Sequence, residues 1–431
     1  MISKFVLFLL PCFMMARGET EAFEKDLLLY SADTERECEF FEDIMPHKKR
    51  NGSCELNPDV YLNVPQIIAR HGYPSEAHIV QTKDGYLLTL HRIPGPKSGK
   101  RGGQPVFLQH GLLGSSADWV VNEGQALAFF LADQGYDVWL GNARGNTYSK
   151  AHVTYSIKSP AYWNFSWHEM GTYDLPAVLQ YVSTHTNRPG EIIYIGHSMG
   201  TTMFFVFSSL KPQAAKNVKL MIALAPTAYM THVRSPIRYL APFSNDAQWI
   251  LRNLGFNQFL PRGKILDLLN YECQLLEQRK ICENAFFLIC GFNKAEMNMD
   301  ILPVAFAHDP AGSSTKTVLH YGQEIHANGN FQQYDYGKEI NMIKYNQSTP
   351  LKYDVGKIRS NIYLMYAEKD KLTSPIDVLR LSHKLPNLIG LYRVPNENFD
   401  HVDFIFGKDA MELVNKQVLK VIHNFTETDM V

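Results

Sequence analysis

The chain carries no excess of charge of either sign: 42 Lys and Arg stand against 43 Asp and Glu, a net charge of −1 over 431 residues. Without a basic stripe there is no footprint for a phosphate backbone, so no nucleic-acid partner is expected. No C-x-x-C and no paired histidine spacing occurs, which leaves no metal-ligand motif, and neither a metal nor an organic cofactor is expected. Beyond the N-terminus no stretch approaches the run of about 18 apolar residues that a membrane span needs, so no transmembrane segment is expected in the mature chain. Cysteine is scarce, at six residues.

The N-terminal residues read as an export signal. Lys4 precedes the apolar stretch Phe5 to Met15, too short for a span, and Ala16-Arg17-Gly18 offers small residues for cleavage after Gly18. Residues 1–18 are therefore expected to be a signal peptide, with 19–56 an N-terminal extension. Sequons at Asn51, Asn164, Asn346 and Asn424 fit passage through the secretory pathway, to a secreted or a lysosomal destination. Cys12 leaves with the signal, and the mature chain keeps the odd number Cys38, Cys54, Cys273, Cys282 and Cys290, so at least one thiol is left over. Proximity in sequence suggests a Cys38–Cys54 pair.

What the chain does have is Gly196-His197-Ser198-Met199-Gly200, set between an apolar strand-like run, Glu191 to Ile195, and a helix-like run, Thr201 to Leu210. This is the context of a nucleophile elbow, in which a serine sits on a sharp strand-to-helix turn and a Cβ at either glycine would crowd the backbone. Ser198 is the candidate nucleophile. A G-x-S-x-G match arises by accident often enough that the other parts of an acyl-transfer site must be found, in the order Ser, Asp, His.

Asn361 to Tyr366 reads as a later strand, followed by Ala367-Glu368-Lys369-Asp370. Asp370 is the candidate acid, because it precedes a turn that opens the next helix; Glu368 is the rival, and a helix cap or loop acid is the plain alternative. Leu391 to Val394 reads as the last strand, and the loop Pro395 to Asp400 delivers His401 before a closing helix around 410–424. Among 16 histidines, His401 is singled out by that position alone. Asp400 and Asp403 read as loop acids, since a sequence neighbour rarely reaches a histidine's Nδ1 with good geometry. An oxyanion hole needs one N–H from the residue after the nucleophile and one from the loop after the third strand. Met199 and Leu112 are the candidates; Leu112 lies in His110-Gly111-Leu112-Leu113-Gly114, which by itself would read as an ordinary glycine turn.

A chain of this length with 45% hydrophobic residues can bury a large core. Alternating stretches at 77–81 and 86–92, divided by Asp84-Gly85, read as an opening hairpin, and the mixture of strands and helices after it points to an α/β-hydrolase fold with a mostly parallel central sheet. Between the strand Leu220 to Pro226 and the strand before Asp370 lie about 130 residues, far more than one crossover helix needs, so a large inserted cap or lid is expected. Boundaries follow: core 57–228 and 355–431, cap 229–354. The cap holds amphipathic stretches at 237–254 and 265–276, an apolar run at 285–291 and a turn-rich piece at 309–314. Packing on the core explains such stripes; a face exposed to lipid on opening is the sharper reading.

With these motifs the sequence resembles the acid lipase family of α/β hydrolases, which includes gastric lipase and lysosomal acid lipase. The resemblance begins near Asn57-Pro58-Asp59-Val60 and is carried by Thr82-Lys83-Asp84-Gly85-Tyr86, Leu108 to Leu113, Gly141-Asn142-Ala143-Arg144-Gly145-Asn146, Trp167-His168-Glu169-Met170, Tyr173-Asp174-Leu175-Pro176-Ala177, the elbow, and His401-Val402-Asp403-Phe404. It implies Ser198, Asp370 and His401 as a triad, Leu112 and Met199 as oxyanion donors, a Cys273–Cys282 bridge and a free Cys290. Short loops of this kind stabilise by about 2 to 3 kcal/mol each. The chain departs from the family pattern at Met199, where Gln is usual, and at Ala-Glu-Lys-Asp, where Gly-x-x-Asp is usual. The segment bearing Cys38 and Cys54 has no counterpart in the mature gastric or lysosomal members. The implied substrate is a neutral-lipid ester, triacylglycerol or sterol ester, met at an interface or droplet. The alternatives are a short-chain carboxylesterase or acyltransferase, and a non-catalytic lipid-binding or storage protein on the same fold.

Overall fold

A computed structural model describes residues 57–235, 238, 257–260 and 295–428. The central sheet is built from β1 (Glu76–Gln81), β2 (Tyr86–Ile93), β3 (Pro105–Gln109), β4 (Asp137–Leu140), β5 (Ile192–His197), β6 (Val218–Leu224), β7 (Asn361–Tyr366) and β8 (Leu388–Arg393), in the spatial order β1-β2-β4-β3-β5-β6-β7-β8. The opening hairpin is antiparallel and β2 runs antiparallel to β4; every later pairing along this path is parallel. A short strand, Ala151–His152, pairs off β2.

The parallel strands read as unbroken apolar runs because both faces are covered. Alternate residues divide between two cores: Val106, Leu108, Ile193, Ile195, Leu220 and Ile222 point one way, while Phe107, Ile192, Tyr194, Met221 and Ala223 point the other. The helices are α1 (Val64–Arg70), α2 (Leu127–Asp133), α3 (Leu175–Thr186), α4 (Met199–Leu210), α5 (Leu302–His308), α6 (Thr315–Ile325), α7 (Lys338–Tyr345), α8 (Pro375–Ser382) and α9 (Lys416–Thr428). The first face is covered by α1, α2 and α9, the second by α3, α4 and α8. In α4, Met199 to Ser209 are all buried, so this helix has no solvent face.

Three separate blocks of the sequence converge on one buried cation. The Arg144 guanidinium, 1% exposed, bonds Asp84 through Nη1 (2.6 Å) and Nη2 (2.9 Å), bonds Asp174 through Nε (2.8 Å), and lies 3.9 Å over the Tyr86 ring. Removing one partner of such a buried group costs far more than the pair itself contributes, because a bare charge is left behind. The arrangement ties the hairpin, the loop after β4 and the start of α3 into one unit.

Between β6 and β7 the described chain contains α5, α6, α7 and a two-residue pairing of Gln258–Phe259 with Ser313–Ser314. The turn-rich piece expected at 309–314 contains the cis Asp309–Pro310 bond and then that pairing. Apart from Arg238, the stretches 237–254, 265–276 and 285–291 lie outside the described residues, as do the signal and extension, Asn51 and all the cysteines. Asn164, Asn346 and Asn424 are exposed. No described helix is long and apolar enough to cross a membrane.

Candidate active site

The turn from β5 into α4 fixes Ser198 through backbone geometry. Ser198 adopts φ 52°, ψ −116°, a region disfavoured for any residue with a Cβ and one that costs about 1–3 kcal/mol. Its N–H donates to Leu224 O at 3.0 Å, and Thr201 Oγ1 donates to its carbonyl at 2.6 Å. The two flanking glycines are required by close approach: a Cβ on Gly200 would lie 2.4 Å from Gln109 O, and one on Gly196 2.8 Å from the Gly200 carbonyl carbon. Tyr194 Oη donates to Gly200 O at 2.7 Å from the strand below.

His401 and Asp370 arrive on loops that follow β8 and β7. Ser198 Oγ lies 2.8 Å from His401 Nε2, and His401 Nδ1 lies 2.8 Å from Asp370 Oδ2. The other oxygen of Asp370 accepts from the N–H groups of Leu372 (2.8 Å) and Thr373 (2.7 Å), and the side chain is wholly buried. Burial disfavours the His401 imidazolium, but the charge and hydrogen bond of Asp370, with the charge of Asp400, outweigh it and hold the pKa above its ordinary value. Glu368 is directed elsewhere, 44% exposed and 3.5 Å from Arg393.

The loop after β3 passes directly over the serine: a Cβ on Gly111 would lie 3.3 Å from Ser198 Cβ and 3.1 Å from His197 Nδ1. His110 locks this loop, donating from Nδ1 to Gly111 O (2.7 Å) and accepting at Nε2 from the Ala143 N–H (3.0 Å). Burial pushes its pKa down to about 4, which keeps it neutral. Asn142 and Asn146, from the Gly-Asn-Ala-Arg-Gly-Asn block, hold Ser116 N–H and Gly114 O. Leu113 has φ 65° and its carbonyl accepts from Ala311 N–H at 2.6 Å, which fastens the loop to the segment between β6 and β7. The loop thus carries Leu112, and the first turn of α4 carries Met199, to the same edge of the sheet as Ser198.

Several site residues have no sequence signal beyond membership of a motif. His197 donates from Nε2 to His401 O at 2.9 Å, so the strand that presents the serine also holds the backbone of the histidine. Burial pushes its pKa down to about 3. Thr227, just past β6, donates N–H to Thr201 Oγ1 (2.8 Å) and accepts from Thr202 Oγ1 (2.7 Å), and Tyr321 of α6 reaches that Thr202 hydroxyl at 2.9 Å. Elsewhere, Glu76, His78 and His185 gather near one point, but Arg92 already sits among them, 2.8 Å from Glu76 and 3.1 Å from His185, and Arg101 takes the other Glu76 oxygen. This is an ion-pair network with its own cation. A groove of about 540 Å³ between β1 and α3, lined by residues such as Ile79, Lys83, Tyr173 and Lys211, includes none of the groups around Ser198.

A strand-turn-helix serine, a buried acid after a later strand and a histidine after the last one, on a sheet of this order, define an α/β hydrolase. Comparison with known proteins agrees: residues 64–123 match the partial alpha/beta-hydrolase lipase region and residues 104–272 the alpha/beta hydrolase fold. Over 373 residues the chain is 40% identical to gastric triacylglycerol lipase of Mus musculus, covering 85% of this chain and 93% of that one. It is 37% identical to lipase member K of Homo sapiens (88% and 94% covered) and 37% identical to lysosomal acid lipase/cholesteryl ester hydrolase of Macaca fascicularis (86% and 93% covered). The chain belongs to the acid lipase family.

Proposed function

We propose that the protein is a serine lipase of the secretory pathway that hydrolyses neutral-lipid carboxylic esters. The observation that carries this reading is the continuous relay of two 2.8 Å contacts from Ser198 Oγ through His401 to Asp370. Ser198 Oγ attacks the ester carbonyl as its proton passes to His401 Nε2. The oxyanion is held by the N–H groups of Leu112 and Met199. His401 returns the proton to the leaving alcohol, and the acyl group stays on Ser198. Water, deprotonated by His401, then attacks the acyl-enzyme, releases the fatty acid and restores the serine. Asp370 holds the Nδ1–H tautomer and stabilises the imidazolium.

The names of the relatives, gastric triacylglycerol lipase and lysosomal acid lipase/cholesteryl ester hydrolase, point to triacylglycerols or sterol esters as substrate and to a secreted or lysosomal destination. The apolar N-terminal stretch, with cleavage after Gly18, and exposed Asn164, Asn346 and Asn424 support the secretory route. The described residues of 229–354 supply no group to the relay, yet touch both the Leu112 loop, through Ala311, and α4, through Tyr321. We assign them the control of access. The test is an assay of the secreted, glycosylated protein on emulsified trioleoylglycerol, cholesteryl oleate and a soluble short-chain ester. Preference for an emulsion supports the lipase, preference for the soluble ester makes it a carboxylesterase, and lipid binding without turnover makes it a carrier.

A further inference from the structure

Two threonines beside the relay form a hydroxyl chain whose direction can be worked out. Thr373 is 2% exposed, and its Oγ1 lies 3.4 Å from His401 Nδ1 and 3.2 Å from Thr227 Oγ1. Thr227, 5% exposed, donates its hydroxyl to Ala225 O at 3.1 Å. A hydroxyl has one hydrogen and two lone pairs. Since the Thr227 hydrogen is directed at Ala225, Thr227 can only accept from Thr373. The Thr373 hydrogen therefore points to Thr227, and its lone pairs are left for His401. Nδ1 carries a hydrogen because it faces the Asp370 carboxylate at 2.8 Å.

We infer that Thr373 is a positioning residue for the His401 imidazole: its hydroxyl, oriented by Thr227, is the second and longer acceptor on Nδ1–H, beside Asp370. The inference rests on the triad reading above. It gives the ring a second restraint: Asp370 and Thr373 reach the same hydrogen from the loop after β7, and Thr227 and Ala225, at the end of β6, orient the Thr373 hydroxyl. The charged or titratable groups facing the ring among the described residues are Asp370, Asp400 from its own loop and neutral His197, 5.0 Å away between ring centroids. Thr373 adds a dipole to that set and no charge. An acceptor on Nδ1–H favours imidazolium over imidazole, so removing it should lower the pKa of His401 as well as loosen the ring.

The test uses the full secreted protein, a soluble chromogenic short-chain ester, and the variants Thr373→Val, Thr373→Ser, Thr227→Val and the double valine. Valine at 373 keeps the shape and the backbone N–H bond to Asp370. The acid limb of kcat/KM in Thr373→Val should move to lower pH by about 0.3 to 0.5 unit, with a plateau about threefold lower. Thr373→Ser should restore both, Thr227→Val should give a smaller shift in the same direction, and the double variant should go no further than Thr373→Val alone. An unmoved limb in Thr373→Val, failure of serine to restore it, or additive effects of the two valines would overturn the inference. If Thr373→Val does not fold, the serine and Thr227→Val arms decide. Labelling of wild-type Ser198 by a serine-reactive phosphonate separates the two readings: no labelling removes the triad itself, whereas normal labelling with an unmoved limb removes only the role of Thr373.

Discussion

The turn that presents Ser198 and the two loops that bring Asp370 and His401 to it are held in place by different physics. At the serine, position is enforced by exclusion: a strained φ of 52°, glycines at 196 and 200 whose neighbours leave no room for a Cβ, and Gly111, where a Cβ would be crowded. At the acid and base, position is enforced by directed bonds, from Leu372 and Thr373 N–H to Asp370 and from His197 to the His401 carbonyl. The first kind of constraint is written in a few adjacent residues. The second is written in partners up to 204 residues apart. A nucleophile fixed by backbone should tolerate changes in its hydrogen-bond partners; an acid–base pair fixed by side chains should respond to them in graded steps.

Ser198→Ala separates chemistry from placement most sharply. It should lower kcat on the order of a million-fold while secretion and thermal unfolding stay as in the wild type, because the turn is held by backbone and not by the hydroxyl. Turnover near wild type in the pure variant would end the triad reading. Next comes Asp370→Asn, expected to lower kcat on the order of ten-thousandfold through the wrong histidine tautomer. Glu368→Gln should change it little, since that side chain faces solvent and Arg393. The reverse ranking would move the acid to Glu368.

His197→Ala removes the bond that couples the two regions. A loss in kcat/KM on the order of tenfold is expected from a displaced imidazole, with folding retained. Wild-type kinetics would show that the His401 loop holds itself. The smallest effect concerns Asp400 and Asp403, behind the histidine: burial and the charge of Asp370 push Asp400 up to about 6, and burial and the charge of Asp400 push Asp403 up to about 8. Both folded values lie above the unfolded value of about 3.9, so the native state holds protons that the unfolded chain gives up. Their contribution is fully present below the unfolded pKa of about 3.9 and is lost as pH rises from there through about 6 for Asp400 and about 8 for Asp403. Asp403→Asn can still accept from the Asp400 N–H and cannot ionise, so its melting temperature should fall less steeply than the wild type's as pH rises from about 4 to about 8. Parallel melting curves against pH would contradict this.

The same contrast explains what could be read in the sequence. The hairpin about Asp84-Gly85, the strand at 361–366 and the elbow have local patterns, and the structure places strands and a helix there. The last strand was expected at 391–394 and runs from Leu388 to Arg393. It is an edge strand whose residues alternate between half-buried and exposed, so its apolar signal is diluted. The closing helix, expected at 410–424, starts as a π turn at Met411–Asn415 before α9. Chain order alone drew attention to Asp370 and His401. Nothing local marked His110, His197, Thr227 or Thr373, because a buried histidine or threonine takes its meaning from a partner on another element. The Arg144 cluster was visible as three separate motifs and not as one buried charge network.

If the relay works as proposed, Ser198 carries the acyl group. The most direct test is to treat the secreted protein with a long-chain serine-reactive phosphonate and map the adduct by mass spectrometry of proteolytic peptides. A single adduct should appear on the peptide containing Gly196 to Gly200, at Ser198, and should be absent from Ser198→Ala and much slower to form in Asp370→Asn. An adduct on any other residue, or undiminished labelling of Ser198→Ala, would show that the nucleophile lies elsewhere.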